Sequence, residues 1–401
     1  MIRVLSLSML FPSSARPGFG RFVARQFEAL ATRGDVEVVV INPIARAPWA
    51  LDRLLSSAAE RAVPTVEHWK SVTVHRPRFV HIPQFGAPWN PGLIRRVVTP
   101  LAQRLHAEKP FDLVDAQFFY PDGPAAARIA EALDLPLTIK ARGSDIHYWG
   151  TRSFARQRML AAAGQAAGLL AVSEALKRDM AGLGMSADKI EVHYTGLDHR
   201  LFWPMSRSEV RGSLCPAIPA DGPLLATVGN LVSLKGQALV IEALARIPGA
   251  RLAIAGHGPV EEKLRSLAAR LGVTDRVHFL GSIAPIDIAS LLAGSDAMVL
   301  PSEREGLANV WIEALACGTP LVITDVGGAR EVVTSPSAGR LVERTADAIA
   351  AALCELLANP PTQAEVAAHA ARFSWEANAA QLAEHYRRVA GFIVPSRASR
   401  S

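Results

Sequence analysis

Along most of its length the chain repeats one pattern: a short run of β-branched and aliphatic residues, then a stretch with apolar residues at helical spacing. Two parallel strands cannot be joined by a tight turn, so this alternation builds a parallel sheet with crossover helices. In the first half the strand runs are 3–10, 36–41, 113–117, 137–140, 168–173 and 190–193, with helices over 20–33, 125–133 and 174–184. The pattern lapses over 199–222, where Pro204, Pro216, Pro219 and Gly222 interrupt short polar stretches. It restarts with strands 224–229, 251–255, 277–280, 297–300 and 320–324 and helices over 237–246 and 260–271. The expectation is an α/β chain of two doubly wound, Rossmann-like domains, 1–203 and 223–373, facing one another across a cleft and joined by a linker over 204–222. A last amphipathic helix, within 374–392, is expected to return to the first domain, and 395–401 to fray. In such sheets ligands sit at the carboxyl ends of the strands.

At 401 residues, half of them apolar and a fifth charged, the chain can bury two cores and is not of the disordered class. No uncharged apolar run reaches the roughly 18–20 residues that cross a bilayer; residues 161–172 read as a buried helix leading into a strand. The apolar stretch 4–11 behind Arg3 reads as a first strand rather than a signal peptide. Cys215, Cys317 and Cys354, odd in number and without C-x-x-C spacing, suit a reducing cytoplasm as plain thiols. Residues 1–203 carry a net charge of +7 and the remainder −1. The basic surplus includes Arg95, Arg96, Arg152, Arg156 and Arg158, interleaved with Leu, Val, Phe and Met. That pattern suits either a solvated helix face or peripheral contact with an anionic membrane. Nucleic acid is not expected, since neither a zinc-finger spacing nor a long basic run occurs.

Chemistry concentrates in Pro301-Ser-Glu-Arg-Glu-Gly-Leu-Ala-Asn-Val-Trp-Ile-Glu-Ala-Leu-Ala-Cys-Gly-Thr-Pro320. A strand ends at Leu300, a polar loop comes next, and a helix runs on toward Gly318. Glu305 falls at the turn, Glu313 two turns into the helix, and backbone amides at Gly306, Leu307, Ala308 and Asn309 are placed to receive an anion. Taken alone, Glu305 could equally cap the helix and Glu313 be solvated. The stretch resembles the E-x7-E signature of the retaining glycosyltransferases of family 4, which have the two-domain GT-B fold. Ala314-Leu-Ala-Cys-Gly-Thr-Pro320 is similar to the small-residue and glycine pattern after that signature, and Val326-Gly-Gly-Ala-Arg-Glu331 to the family's next loop, with Glu331 opening a further helix. The resemblance implies that Glu305 touches the donor sugar and Glu313 the ribose hydroxyls.

Other segments agree. Thr227-Val-Gly-Asn-Leu-Val-Ser-Leu-Lys-Gly236 resembles the loop that offers a basic pair to the donor pyrophosphate, with Lys235 at the lysine position and Asn230 where an arginine is usual. Ala255-Gly-His-Gly-Pro259, with Gly256 and Gly258, and Val277-His-Phe-Leu-Gly-Ser-Ile283 resemble the loops around the nucleobase; the plain alternative for the glycines is a βα turn. Phe11-Pro-Ser-Ser-Ala-Arg-Pro-Gly-Phe-Gly-Arg21 is similar to the family's glycine loop, where Gly18 and Gly20 would let backbone approach the donor phosphates. A dinucleotide fingerprint is incomplete there, because Val23 stands at its third glycine. Phe119-Tyr-Pro-Asp-Gly123 and Lys140-Ala-Arg-Gly-Ser-Asp145 place Asp122, Arg142 and Asp145 on the acceptor side. Arg142 stands where many members carry a histidine, and an Arg142–Asp145 ion pair is the structural alternative. His147 reads as a loop histidine. Ala171-Val-Ser-Glu174, Tyr194-Thr-Gly-Leu-Asp-His-Arg-Leu-Phe202 and Phe373-Ser-Trp375 extend the match, which is loosest over 45–110.

No D-x-D, H-E-x-x-H, G-x-S-x-G or Walker A pattern occurs. The function the resemblance implies is a cytoplasmic, metal-independent, retaining hexosyltransferase. It would use no cofactor and move a sugar from a UDP- or GDP-linked donor to a glycan or lipid-linked acceptor. Work on bacterial surface polysaccharide is a family-level expectation. A nucleotide-sugar epimerase of similar architecture and a catalytically idle partner subunit are the alternatives.

Overall fold

The computed structural model describes residues 1–48, 57–82, 85–213 and 221–391; Cys215, Pro216, Pro219 and the expected tail 395–401 lie outside them. The chain divides into two units, Met1–Gly196 together with the segment from Trp375 onward, and Leu197–Ser374.

The first unit is built on strands β1 (Ile2–Leu7), β2 (Val36–Ile41), β3 (Ile44–Arg46), β4 (Val66–Trp69), β5 (Val72–His75), β6 (Arg78–Val80), β7 (Leu113–Ala116), β8 (Leu137–Ala141), β9 (Gly168–Ala171) and β10 (Ile190–Val192). Eight of them form one sheet in the order β10-β9-β8-β7-β1-β2-β5-β4, while β3 and β6 pair apart from it. Every pairing in the large sheet is parallel except β4 with β5. Strand β1 was expected to run to residue 10 but stops at Leu7, because Ser8 Oγ folds onto Leu10 O at 2.8 Å and turns the chain. Val4, Val40 and Leu113 from the strands, Phe27 and Leu30 from helix Arg21–Ala31, and Leu382 and Tyr386 from helix Trp375–Val389 share one core. Each such side chain, fully buried, contributes roughly 1.5–3 kcal/mol. The last helix therefore belongs structurally to the first unit.

The second unit holds β11 (Leu224–Val228), β12 (Arg251–Ala255), β13 (Val277–Gly281), β14 (Ala297–Leu300), β15 (Leu321–Thr324) and β16 (Gly339–Val342). They form an all-parallel sheet in the order β13-β12-β11-β14-β15-β16. The sheet grows outward in one direction from β11 to β13 and in the other from β14 to β16. The loops after β11 and β14 consequently diverge, which opens the crevice where such sheets bind ligands. The segment expected as linker is not wholly irregular: a helix spans Arg207–Ser213. Arg211 fixes it, Nε donating to Gly294 O at 2.7 Å and Nη2 to Asp296 Oδ2 at 2.6 Å, and Val210 is buried.

Candidate active site

The polar loop after β14 is held by backbone. Glu303 N–H donates to Leu234 O at 2.7 Å, and Gly328 N–H to Gly306 O at 2.8 Å. Gly327 has φ +52°, and a Cβ there would lie 2.1 Å from Glu305 O, so the next loop rests directly on the Glu305–Gly306 peptide. Arg344 ties the same loop to the one after β11. Its Nε donates to Pro301 O at 3.0 Å and its Nη2 to Ser233 O at 3.1 Å.

These ties set Lys235 against Glu305. Lys235 Nζ donates to Glu305 Oε1, and the two side chains are 24% and 12% exposed. Glu305 thus pairs with lysine across the switch point and does not cap the adjoining helix. That helix spans Asn309–Ala316 with Ala308 at its N-cap, so Glu313 lies a little over one turn in, not two. The amides of Leu307, Ala308 and Asn309 have no acceptor among the described residues, whereas Gly306 is already engaged. Glu313 is half-buried; its backbone carbonyl accepts from Cys317 N–H at 3.1 Å, and its carboxylate accepts no hydrogen bond from a described residue. Burial alone pushes its carboxyl up to about 7. Beside it Cys317 is buried, its thiol pushed up by burial first and by the Glu313 charge second. Trp311, on the same helix, is fully buried and anchors it. Glu331 lies inside helix Ala329–Val332 rather than at its start.

Around the switch point the loops after β11, β12 and β13 are stitched together. Gly229 N–H donates to Ala255 O, Leu231 N–H to His257 O, and Gly256 N–H to Gly281 O, at 2.9, 2.9 and 2.7 Å. A Cβ at Gly256 or Gly258 would strike Gly229 O or Leu231 O at 2.0 or 2.1 Å, so both glycines serve this close loop packing. Asn230 is exposed; its backbone carbonyl accepts from Gln237 Nε2 at 3.1 Å. Ile283 is half-buried just past β13.

The first unit assembles a second polar cluster at its own switch point, between β1 and β7. Arg142, just past β8, directs Nη2 to Gln117 Oε1 and Gln26 Oε1 and Nε to Gln117 O. Gln26 also accepts from Lys140 Nζ at 3.0 Å, and Gln117 Nε2 donates to Asp115 Oδ2 at 2.7 Å. Burial brings the Arg142 guanidinium down to about 10, with Asp115 opposing the shift. Lys140 is fully buried, 2.6 Å from His193 Nδ1, and burial holds both groups well below their ordinary ranges. The Arg142–Asp145 alternative resolves differently from an ion pair. Asp145 is fully buried and accepts backbone N–H bonds from Phe119 (2.9 Å), Arg142 (3.0 Å), Gly143 (2.8 Å) and Ile146 (3.1 Å). Asp122 is also fully buried, accepting Met9 N–H at 3.0 Å, and burial, with the Asp145 and Asp115 charges, raises its carboxyl well above the ordinary range. These two carboxylates shape the backbone and are not presented to solvent. Gly20, at φ +67°, packs on Leu10, while Gly18 is exposed and open. His147 pairs with Asp179 at 2.9 Å, away from Arg142. A cavity of about 330 Å³ lies beyond β1 and β2, lined in part by Phe11, Arg16, Phe19 and His81.

Sequence reasoning named Lys235, Glu305, Glu313 and Arg142 but missed Arg344, Gly327, Gln26 and Gln117. Only the Gly-Gly after Val326 gave a local signal. Among the described residues no group of three or more His, Cys, Asp or Glu is arranged to hold a metal ion.

Comparison with known proteins places this geometry. The model of group 1 glycosyl transferases matches residues 216–373, and that of glycosyltransferase family 4 matches 17–201. The chain is 35% identical over 226 residues to D-inositol 3-phosphate glycosyltransferase of Mycobacterium leprae (strain Br4923), covering 53% of this chain and 52% of that protein. For the enzyme of Mycobacterium tuberculosis (strain F11) the figures are 36% over 222 residues, 52% and 45%. The chain thus spans about half the length of the curated relatives it matches. Sucrose-phosphate synthase from Thermosynechococcus elongatus superposes with a TM-score of 0.79 at 21% identity, over 97% of this chain and 99% of that one. Anabaena Alr3699/HepE, solved with UDP-glucose, gives 0.71 at 23%, over 97% and 100%. The fold is the two-domain GT-B fold, and with one family model on each unit the chain belongs to glycosyltransferase family 4.

Proposed function

We propose that this chain is a retaining, metal-independent glycosyltransferase that takes its sugar from a nucleotide-sugar held by the second unit. The observation that carries this reading is the Lys235–Glu305 pair at the β11/β14 switch point, with the Glu313 carboxylate unengaged on the helix that follows the same loop. Lys235 and the amides of Leu307 to Asn309 offer positive charge to a diphosphate. Glu305 accepts from sugar hydroxyls, and Glu313 from the ribose. In the reaction the bond between the anomeric carbon and the phosphate oxygen breaks as the acceptor oxygen bonds that carbon on the same face. The acceptor proton passes to the departing phosphate oxygen, so no protein nucleophile is needed. Charge grows on the diphosphate in the transition state, where Lys235 stabilises it most. The acceptor is a glycan or a lipid-linked glycan, of the kind used in surface polysaccharide assembly. Because HepE is solved with UDP and UDP-glucose, uridine is the nucleoside we assign.

A thermal-shift comparison of UDP, GDP and ADP tests the donor assignment. A ligand at 100 times its Kd adds about 2.7 kcal/mol of apparent stability, an upward shift of about 5–10 °C for a unit of this size. UDP is expected to give it. A larger shift with GDP or ADP overturns the base, and no shift with any of them overturns the donor site.

Glu313 gives a pH signature. Its folded-state value, about 7, lies above the unfolded value of 4.5. Its contribution to stability is therefore complete below pH 4.5 and lost as pH rises to about 7. Ribose hydroxyls bind the ionised form better, so donor affinity runs the opposite way. The Kd for a nucleotide sugar, whose diphosphate diester does not titrate in this range, is expected to fall about tenfold from pH 6 to pH 8. Glu313→Gln should flatten the profile, which calorimetry at the two pH values reads directly. A flat wild-type profile removes Glu313 from the ribose.

A further inference from the structure

We infer that the face of the first unit built from residues 85–96 and 148–158 docks on a membrane rich in acidic phospholipid. The inference is independent of the transfer reading. From His68 to Ala107 the sequence contains no Asp or Glu, and none occurs from Ile146 to Ser173. The fold brings these two acid-free stretches together. Tyr120 Oη donates to Ala87 O at 2.6 Å while its ring lies 4.8 Å from that of Trp149, and Arg158 donates to Pro88 O.

Two kinds of side chain share the resulting surface. Phe85, Trp89 and Tyr148 are 71%, 58% and 50% exposed. Arg95, Arg96 and Arg158 are exposed, and none has a carboxylate partner among the described residues; Arg156, two positions from Arg158 on the same helix, turns away and donates to Leu183 O at 3.0 Å. Arg95 and Arg158 flank a groove of about 380 Å³ that Trp89 also lines. On the same groove Arg128 is compensated by Glu131 at 2.8 Å, so the net charge comes from the uncompensated arginines.

This combination selects one occupant. Single exposed aromatics are ordinary, and a cationic surface alone attracts any polyanion. Exposed aromatic rings beside unpaired guanidiniums, with the neighbouring acids Glu131 and Asp179 taken up by Arg128 and His147, match the interface of an anionic leaflet. There the headgroup phosphates take the arginines and the rings settle at headgroup depth. No helix among the described residues is long and apolar enough to cross a membrane, so the contact is peripheral.

The test is co-sedimentation of the full chain with vesicles of pure phosphatidylcholine and with vesicles holding 30 mol% phosphatidylglycerol, at low and high salt. Partition onto the acidic vesicles is expected to exceed that onto the neutral ones by at least tenfold at 50 mM NaCl and to fall at 500 mM. Each arginine near an anionic surface is worth roughly fivefold in partition. Arg95→Glu/Arg96→Glu should therefore reduce partition by about 25-fold or more, with an unchanged circular-dichroism melt because both side chains are exposed. Phe85→Ser/Trp89→Ser should keep the low-salt adsorption and lose the part that persists at 500 mM. Equal partition onto both vesicles, or partition untouched by the arginine exchange, overturns the inference. Capture on heparin or RNA through the same arginines, without vesicle binding, also overturns it and assigns the face to a soluble polyanion.

Discussion

Lys235→Ala is expected to lower kcat for sugar transfer by about 10²–10³, while donor affinity weakens by no more than about tenfold. Lys235 is the cation that the structure sets directly on Glu305. The companion position, where the resemblance leads one to expect a basic residue, holds the uncharged Asn230. On the proposed function, stabilisation of the departing diphosphate would fall on one ammonium and the amides of Leu307 to Asn309. Removing one preorganised donor from a site where charge develops costs about 10²–10³ in kcat. The larger effect belongs to kcat because that charge is greatest in the transition state. Lys235→Arg should restore part of the rate, since it keeps the charge but not the compact geometry. The measurement is steady-state transfer alongside donor binding. A kcat within fivefold of wild type would assign the diphosphate to another group.

Asp145→Ala is expected to destabilise the first unit by about 3–5 kcal/mol. The carboxylate gathers the amides of Phe119, Arg142, Gly143 and Ile146 in a fully buried position. Deleting it orphans several buried donors at once, each costing about 1–3 kcal/mol before rearrangement or water recovers part of the loss. At 2–4 °C per kcal/mol, the melting transition of the first unit should fall by about 10 °C. Asp145→Asn, which keeps one acceptor oxygen, should fall about half as far. A transition within 2 °C of wild type for Asp145→Ala would show that the four amides find other partners unaided.

These cases show where sequence reading succeeds and stops. Strands such as Arg251–Ala255 and Ala297–Leu300 were legible to the residue, because an unbroken aliphatic run in a parallel sheet is buried on both faces. Strands β4, β5 and β16 were not. Ala297–Leu300 is equally short but unbroken, whereas Lys70, Arg76 or Arg340 within or beside these strands blurs the period. Lys235 and Glu305 were found by the family pattern around them, since nothing local announces a contact between residues 70 positions apart. Gln26 and Gln117 had no such pattern. A neutral amide within an apolar stretch signals nothing until the sheet brings it against a partner 91 positions away. Arg142 and Asp145, three positions apart, suggested an ion pair from charge alone. The turn between them instead aims its amides at the carboxylate and releases the guanidinium toward Gln117.

The closing helix, Trp375–Val389, carries a consequence for how the molecule is made. Asn378 Nδ2 donates to Tyr194 O at 2.6 Å and His193 meets Asn378 O at 2.9 Å. Leu382, Ala383 and Tyr386 fill a core otherwise drawn from the first third of the chain and Leu170. As the polypeptide leaves the ribosome, the earliest strands emerge with one wall of their core still unsynthesised, and they wait while all of 197–374 is made. The unit translated second can close first, since every strand of its sheet lies within that interval. Order of synthesis and order of completion are thus reversed. A chain arrested near residue 370 would carry a finished second unit behind an amino-terminal half still exposing Phe27 and Leu30 to chaperones.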